Sequence, residues 1–317
     1  MGVTSCSAAP PSATQIGTRL FFLAEDDEHG CELWVTDGTA EGTALVRDIF
    51  SGPRSAFTDG EQQLIAFGDT LLFAADDAEH GRELWIAGPA VETAIVKDIC
   101  EGPCSSLDAD PQFPTYAHTG GIVVFVASDQ THGAELWRTD GTPDGTVLVK
   151  DIRPGALDSI FLSRDYSDYV PYLTVLNGFV LFAASDRAHG LELWRTDGTE
   201  AQTLLVRDIN PGTASSLLKD GIDTLVNDPA GSFTASDGKI FFSAIEADGE
   251  IHSWESDGTF EGTNARLENP GFAPSTNDTG CSISRTGAPD AAVLSFLLLP
   301  LVIAATRRFC IFGESRR

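Results

Sequence analysis

Four of the six histidines stand three residues after an aspartate: Asp26 and His29, Asp77 and His80, Asp129 and His132, Asp186 and His189. A carboxylate and an imidazole at this spacing can share a proton, help to ligate a cation or close a tight turn. Catalysis needs one such pair, not four, so the repetition favours a role in the fold. The four imidazoles are expected to close hairpins by hydrogen bonding to nearby acidic or backbone groups. Calcium binding is the sharper alternative, with Asp26, Asp77, Asp129 and Asp186 as the candidate ligands on acidic loops. Calcium takes roughly six to eight oxygens. Each loop offers two or three side-chain oxygen groups, so neighbouring strands or water would supply the rest.

No set of nucleophile, base and orienting group stands out. An enzyme reading, a propeller hydrolase acting on glycans, needs acids that belong to single repeats and converge on one face. Asp108, Asp110, Asp165 and Asp168 are such acids. Cys100 and Cys104 flank Glu-Gly-Pro and can pair in an oxidising compartment. Their spacing is wrong for a zinc ribbon. The chain carries a net charge of −27, and residues 281–317 hold five Arg against two acids, so the preceding body is more acidic still. Such a surface repels nucleic acid and anionic membranes and attracts cations or basic partners.

The elements that must position these groups repeat with the tryptophans. All five Trp (34, 85, 137, 194 and 254) recur at roughly 50–60 residues, a period that indicates a propeller or solenoid array. Twelve residues before each stands Phe: Phe22, Phe73, Phe125, Phe182 and Phe242. Ten before stands Ala: Ala24, Ala75, Ala127, Ala184 and Ala244. In the fourth copy, residues 172–176, 179–184, 191–196 and 204–209 read as four strands. Asn177-Gly178 joins the first two, because both residues of such a hairpin turn must accept positive φ. Asp237-Gly238 does the same in the fifth copy. The second strand is apolar on both faces and is expected to be buried on both. Asp-Gly-Thr joins the third strand to the fourth in four copies, starting at Asp37, Asp140, Asp197 and Asp257, with the Asp side chain bonding backbone N–H groups. These observations predict an all-β chain, a β-propeller-like array of about five four-stranded antiparallel blades.

Three copies read Glu-Leu-Trp-x-x-Asp-Gly-Thr in full, at Glu32–Thr39, Glu135–Thr142 and Glu192–Thr199. On these residues the chain resembles the bacterial ELWxxDGT repeat proteins over about residues 18–268. The second copy keeps Glu83-Leu84-Trp85 but has Ala87-Gly88-Pro89-Ala90 in place of the turn. The fifth has His252-Ser253-Trp254 and keeps Asp257-Gly258-Thr259. The resemblance implies a bacterial cell-surface or extracellular propeller-like protein and brings no activity with it. The Asp-Gly-Thr turns also resemble the Asp-box turns of sialidase-like propellers, which implies a structural role for them.

Residues 1–17 are small and polar and are expected to be disordered; they show no basic and apolar pattern of a signal peptide, so export implies a start upstream. Residues 18–268 form the five-repeat domain, 269–287 a linker with Cys281, 288–308 a hydrophobic segment with a basic stop, and 309–317 a short tail. The apolar run 291–305 predicts a C-terminal hydrophobic helix, shorter than the roughly 20 residues of a comfortable span. Cys281, the apolar run and Arg307-Arg308 resemble in order a bacterial Cys-containing sorting signal, which implies processing and membrane tethering at Cys281; a plain C-terminal anchor that stays in place is the alternative. The expected function is non-catalytic: adhesion, or binding of a surface ligand, glycan or protein. A purely structural array is the remaining alternative.

Overall fold

The computed structural model describes residues 4–6, 13–57, 64–107, 116–160, 173–217 and 233–266. The chain divides into two units, Met1–Glu268 and Asn269–Arg317. Cys281 and the expected C-terminal helix lie outside the described residues. Among those described, no helix is long and apolar enough to cross a membrane.

The first unit is all-β, with five antiparallel sheets in chain order. The first contains Ala13–Ile16, Arg19–Asp26, Gly30–Thr36 and Ala44–Arg47. The second contains Ile65–Phe67, Thr70–Asp76, Arg82–Gly88 and Val91–Lys97. The third contains Tyr116–Thr119, Ile122–Asp129, Gly133–Thr139 and Val147–Lys150. The fourth contains Thr174–Leu176, Phe179–Ser185, Leu191–Thr196 and Leu204–Arg207. The fifth contains Thr234–Ser236, Lys239–Ile245, Ile251–Ser256 and Asn264–Ala265. Thr4–Ser5 adds a fifth strand to the first sheet, beside the end of Arg19–Asp26.

The disordered 1–17 expectation is therefore corrected at two places. Ala13–Ile16 is the first strand of sheet one, and Thr4–Ser5 pairs with Ala24 and Glu25. Ala13–Ile16 lacks a strand-like composition because it is an edge that buries only Ile16.

Register explains the repeat. Each Phe lies directly across from its Trp: Phe22 opposite Trp34, Phe73 opposite Trp85, Phe125 opposite Trp137, Phe182 opposite Trp194 and Phe242 opposite Trp254. Cross-strand partners share a face, so each sheet presents an aromatic side. That side packs on the opposite side of the preceding sheet. Trp85 and Phe73 share a buried core with Leu33 and Leu23, and Trp137 and Phe125 share one with Leu84 and Leu72. Trp194 and Phe182 pack with Leu136 and Val126, and Trp254 and Phe242 with Leu193 and Leu181. Four cores thus join five sheets, and both faces of the second, third and fourth are buried. In the expected hairpin turns, Asn177 and Asp237 both have φ of 52°, with Gly178 and Gly238 following at positive φ.

Candidate functional site

Because the strands are antiparallel, each sheet has two different ends. The Asn-Gly and Asp-Gly-Thr turns lie at one. The Asp–His hairpins, and the linkers that run to the next sheet, lie at the other. The polar residues that repeat are gathered at these two ends.

At the hairpin end, His29 Nδ1 lies 2.9 Å from Asp26 Oδ1, and His80, His132 and His189 each lie 2.8 Å from Asp77, Asp129 and Asp186. The same carboxylates accept the histidine backbone N–H, for example at 2.7 Å in Asp26 and 2.8 Å in Asp77. The hydrogen bond to the carboxylate holds each imidazole above its ordinary pKa, against a smaller opposing effect of desolvation. The Asp26 carboxyl is correspondingly lowered by the His29 hydrogen bond. The four aspartates thus sit one per sheet, each engaged by its own histidine. Among the described residues no group of three or more His, Cys, Asp or Glu side chains converges as a metal site.

Each hairpin abuts its own outgoing linker so closely that no side chain fits between them. A Cβ on Gly81 would stand 2.3 Å from Cys104 O, and one on Gly190 would stand 2.3 Å from Ala214 O. Both glycines also have positive φ, which suits them twice over to this turn.

Behind the hairpins lie four fully buried glutamates, Glu32, Glu83, Glu135 and Glu192. Each anchors the linker. Glu83 accepts from Ile99 N at 3.3 Å, Cys100 N at 3.1 Å and Ser106 N at 3.1 Å, and also from Ser106 Oγ. Glu192 accepts from Ile209 N at 3.0 Å, Asn210 N at 3.4 Å, Ser216 N at 3.0 Å and Ser216 Oγ at 2.5 Å. The residue opposite each glutamate is the repeating Ala, which leaves it room. Burial pushes the four carboxyls up to about 7, opposed by these donors. The anchored linker then reaches the next sheet: Asp76 N donates to Ala56 O, Ser128 N to Ser106 O, Ser185 N to Ser159 O and Ile245 N to Ser216 O. Asp48, Asp98, Asp151 and Asp208 begin the linkers, and each keeps one buried carboxylate oxygen without a hydrogen-bond partner.

At the other end, Asp140 Oδ1 accepts from Thr142 N at 2.9 Å and Thr142 Oγ1 at 2.6 Å, and the remaining Asp-Gly-Thr turns repeat this. A cation from each of the first four sheets grips the next sheet near this end. Arg47 donates to Thr93 O, Lys97 to Thr146 O, Lys150 to Thr203 O and Arg207 to Thr263 O. Arg47 and Arg207 also stand over the rings of Trp85 and Trp254.

Cys100 and Cys104 form a disulfide within the second linker. A second disulfide, Cys6–Cys31, ties the N-terminal segment to the first sheet. Sequence reasoning missed that bond, because the segment around Cys6 carries no repeat pattern. It also missed the four glutamates, although a charge recurring two residues before Trp in an apolar strand was the available signal. Asp108, Asp110, Asp165 and Asp168 lie outside the described residues.

No protein-family model and no curated protein matches the chain. Among solved structures it is similar to puromycin hydrolase, at 18% identity and a TM-score of 0.37, covering 77% of this chain and 32% of that one. A mutant of puromycin hydrolase complexed with PGG gives 16% identity and a TM-score of 0.37 over the same shares. A puromycin-hydrolyzing peptidase of Mycobacterium tuberculosis gives 16% identity and a TM-score of 0.33, over 62% of this chain and 28% of that one. The chain spans about a third of the length of these proteins.

Proposed function

We propose that the chain is a non-catalytic, propeller-like repeat protein of the ELWxxDGT kind, secreted or held at a bacterial cell surface, that binds a glycan or protein ligand. One observation carries the reading. Three of the recurring sets of polar groups, the Asp–His pairs, the buried glutamates and the Asp-Gly-Thr turns, are engaged in holding hairpins, linkers and sheets together. What such a framework offers to a partner is the set of segments between sheets, where binding surfaces of repeat scaffolds are usually carried. Two disulfides suit an oxidising, extracytoplasmic address. The strongly acidic body suits a surface that stays in solution and needs a separate tether, for which Cys281 and the tail are the candidates.

The test is binding of the purified full chain to an immobilised glycan panel, with turnover of aryl glycosides measured in parallel. The reading expects saturable binding that disappears when residues 108–115 or 161–172 are replaced by Gly/Ser, and survives Asp186→Asn. Glycoside turnover abolished by Asp108→Asn or Asp165→Asn would transfer the chain to the hydrolases.

A further inference from the structure

The fifth sheet keeps the aromatic pair that faces the fourth; on its other face it keeps Phe241 and Ile251, at the positions of the core residues Leu181 and Leu191, but Ile251 is exposed and the rest of the contacts toward a successor are lost. In the first four sheets the residue before Trp is a buried leucine, Leu33, Leu84, Leu136 or Leu193, inside the core shared with the next sheet. In the fifth it is Ser253, which is exposed. Its cross-strand partner is Ser243, where the fourth sheet pairs Ala183 with Leu193. Two residues on, Arg195 of the fourth sheet reaches across to Gly258 O at 2.9 Å. The corresponding Glu255 stays on its own sheet. It is ion-paired with Lys239 and lies 4.0 Å from Arg266, whose guanidinium covers the Phe241 ring at 5.0 Å. The linker anchor is gone too, with His252 in the glutamate position. In sequence, Leu267 takes the place of the gripping cations Arg47, Lys97, Lys150 and Arg207.

Ser243, Ser253, Glu255 and His252, with Leu267 in the sequence, have therefore each lost a contact that the earlier sheets make with their successors, while Phe241 and Ile251 stay apolar. Placing another sheet on this face would desolvate an ion pair and two serines without offering them new partners. We propose that the fifth sheet is a capping repeat, so that the stack ends on its outer face and the first and fifth sheets do not close into a ring. A polar terminal face is what keeps a stacked array soluble, and it denies head-to-tail addition to a second copy. This goes beyond the binding reading above and stands or falls separately from it.

The experiment compares one register position in two sheets of the full chain. Ser253→Lys is expected to move the melting temperature by less than about 2 °C, whereas Leu193→Lys abolishes cooperative melting. In a Ser253→Cys variant, peptide-resolved maleimide labelling of residue 253 is expected to proceed within about threefold of its rate in the unfolded chain. Labelling slowed a hundredfold or more at every protein concentration would overturn the proposal in favour of ring closure. Protection that grows with protein concentration would overturn it in favour of a second copy on this face. A loss of about 10 °C or more in Ser253→Lys would likewise show that the face is covered.

Discussion

The fourth and fifth sheets carry the eight-residue stretch at the same register, but share only its Trp and Asp-Gly-Thr. Glu192-Leu193 anchors the outgoing linker and fills the core toward the fifth sheet, whereas His252-Ser253 does neither. Trp194 and Trp254 are equally buried against the preceding sheet, and Asp197 and Asp257 close the same turn. The repeat therefore has two separable halves. Glu-Leu serves the sheet that follows, and Trp with Asp-Gly-Thr serves the sheet that precedes. A repeat can lose one half and still fold against one neighbour, which is what the fifth does.

The largest effect that can break this division is in the core. Leu193→Ala removes a fully buried side chain from the core between the fourth and fifth sheets. It is expected to cost about 2–5 kcal/mol in a denaturant titration, while Ser253→Ala stays within about 0.5 kcal/mol. Equal losses would mean that the two positions are packed alike. Trp254→Ala is expected to cost about 3–5 kcal/mol, as Trp194→Ala does, because the preceding-sheet half is intact in both.

Next comes the linker anchor. Glu192→Ala leaves the N–H groups of Ile209, Asn210 and Ser216 without their acceptor in the interior. The expected cost is about 3 kcal/mol, from about 1–3 kcal/mol for each buried unsatisfied group after partial relaxation. His252→Ala, at the same register in the fifth sheet, should cost under about 1 kcal/mol. Hydrogen exchange should place the Glu192→Ala loosening at Ser216 and Ile245, where the linker joins the two sheets.

Much of this division was legible in the residues. The constant Phe-to-Trp spacing showed that the same two strands recur in every copy, but that Phe and Trp stand directly opposite each other depends on the turn between them and came from the structure. The departures at His252 and Ser253 were equally visible. They read only as departures from the motif, because sequence periodicity does not say which face of a strand meets which neighbour. Glu192 was read as part of a resemblance and not as a buried group, because a charge on a strand ordinarily faces water. Only the three-dimensional approach of the linker, which brings donors from Ile209, Asn210 and Ser216, makes its burial tolerable. Cys6 had no visible partner because pairing depends on the Thr4–Ser5 strand, which two residues cannot announce.

The comparison also fixes a pH dependence. A buried glutamate raised from 4.5 to about 7 binds its proton more tightly in the folded chain than in the unfolded one. Between those values the native state carries more protons, so stability falls as pH rises through the window and the contribution is gone above it. The raised histidines act in the same direction: their contribution is present below their ordinary pKa and is lost as pH rises past the folded value. The lowered aspartates act in the opposite sense, but only at more acidic pH. The melting temperature is therefore expected to be higher at pH 5.5 than at pH 8.5 by several degrees, about 5 °C. Glu192→Gln should flatten that slope in part. A melting temperature that climbs from pH 5.5 to 8.5 would show that the carboxylates stay ionised behind their N–H donors.

The smallest effect separates a hairpin clasp from a cation site. Asp186 holds His189 at 2.8 Å, while in the fifth sheet the exposed Asp248 stands 3.6 Å from the half-buried His252. An ion pair as accessible as that of Asp186 and His189 is worth about 0.5–1 kcal/mol. Asp186→Asn should therefore lower stability by about that amount, and Asp248→Asn by less. Calcium would look different in size. An extracellular site with an affinity near ~10⁻⁴ M, given 10 mM calcium, gains about 2.7 kcal/mol by mass action. That gain exceeds the whole value of the clasp, so the two readings cannot be confused. The clasp reading expects 10 mM calcium to leave the melting temperatures of the parent chain and of Asp186→Asn unchanged to within about 1 °C. A rise in the parent that Asp186→Asn reduces, reversed by EDTA, would make the aspartates of the first four hairpins ligands, and would leave the fifth hairpin as the one without a site.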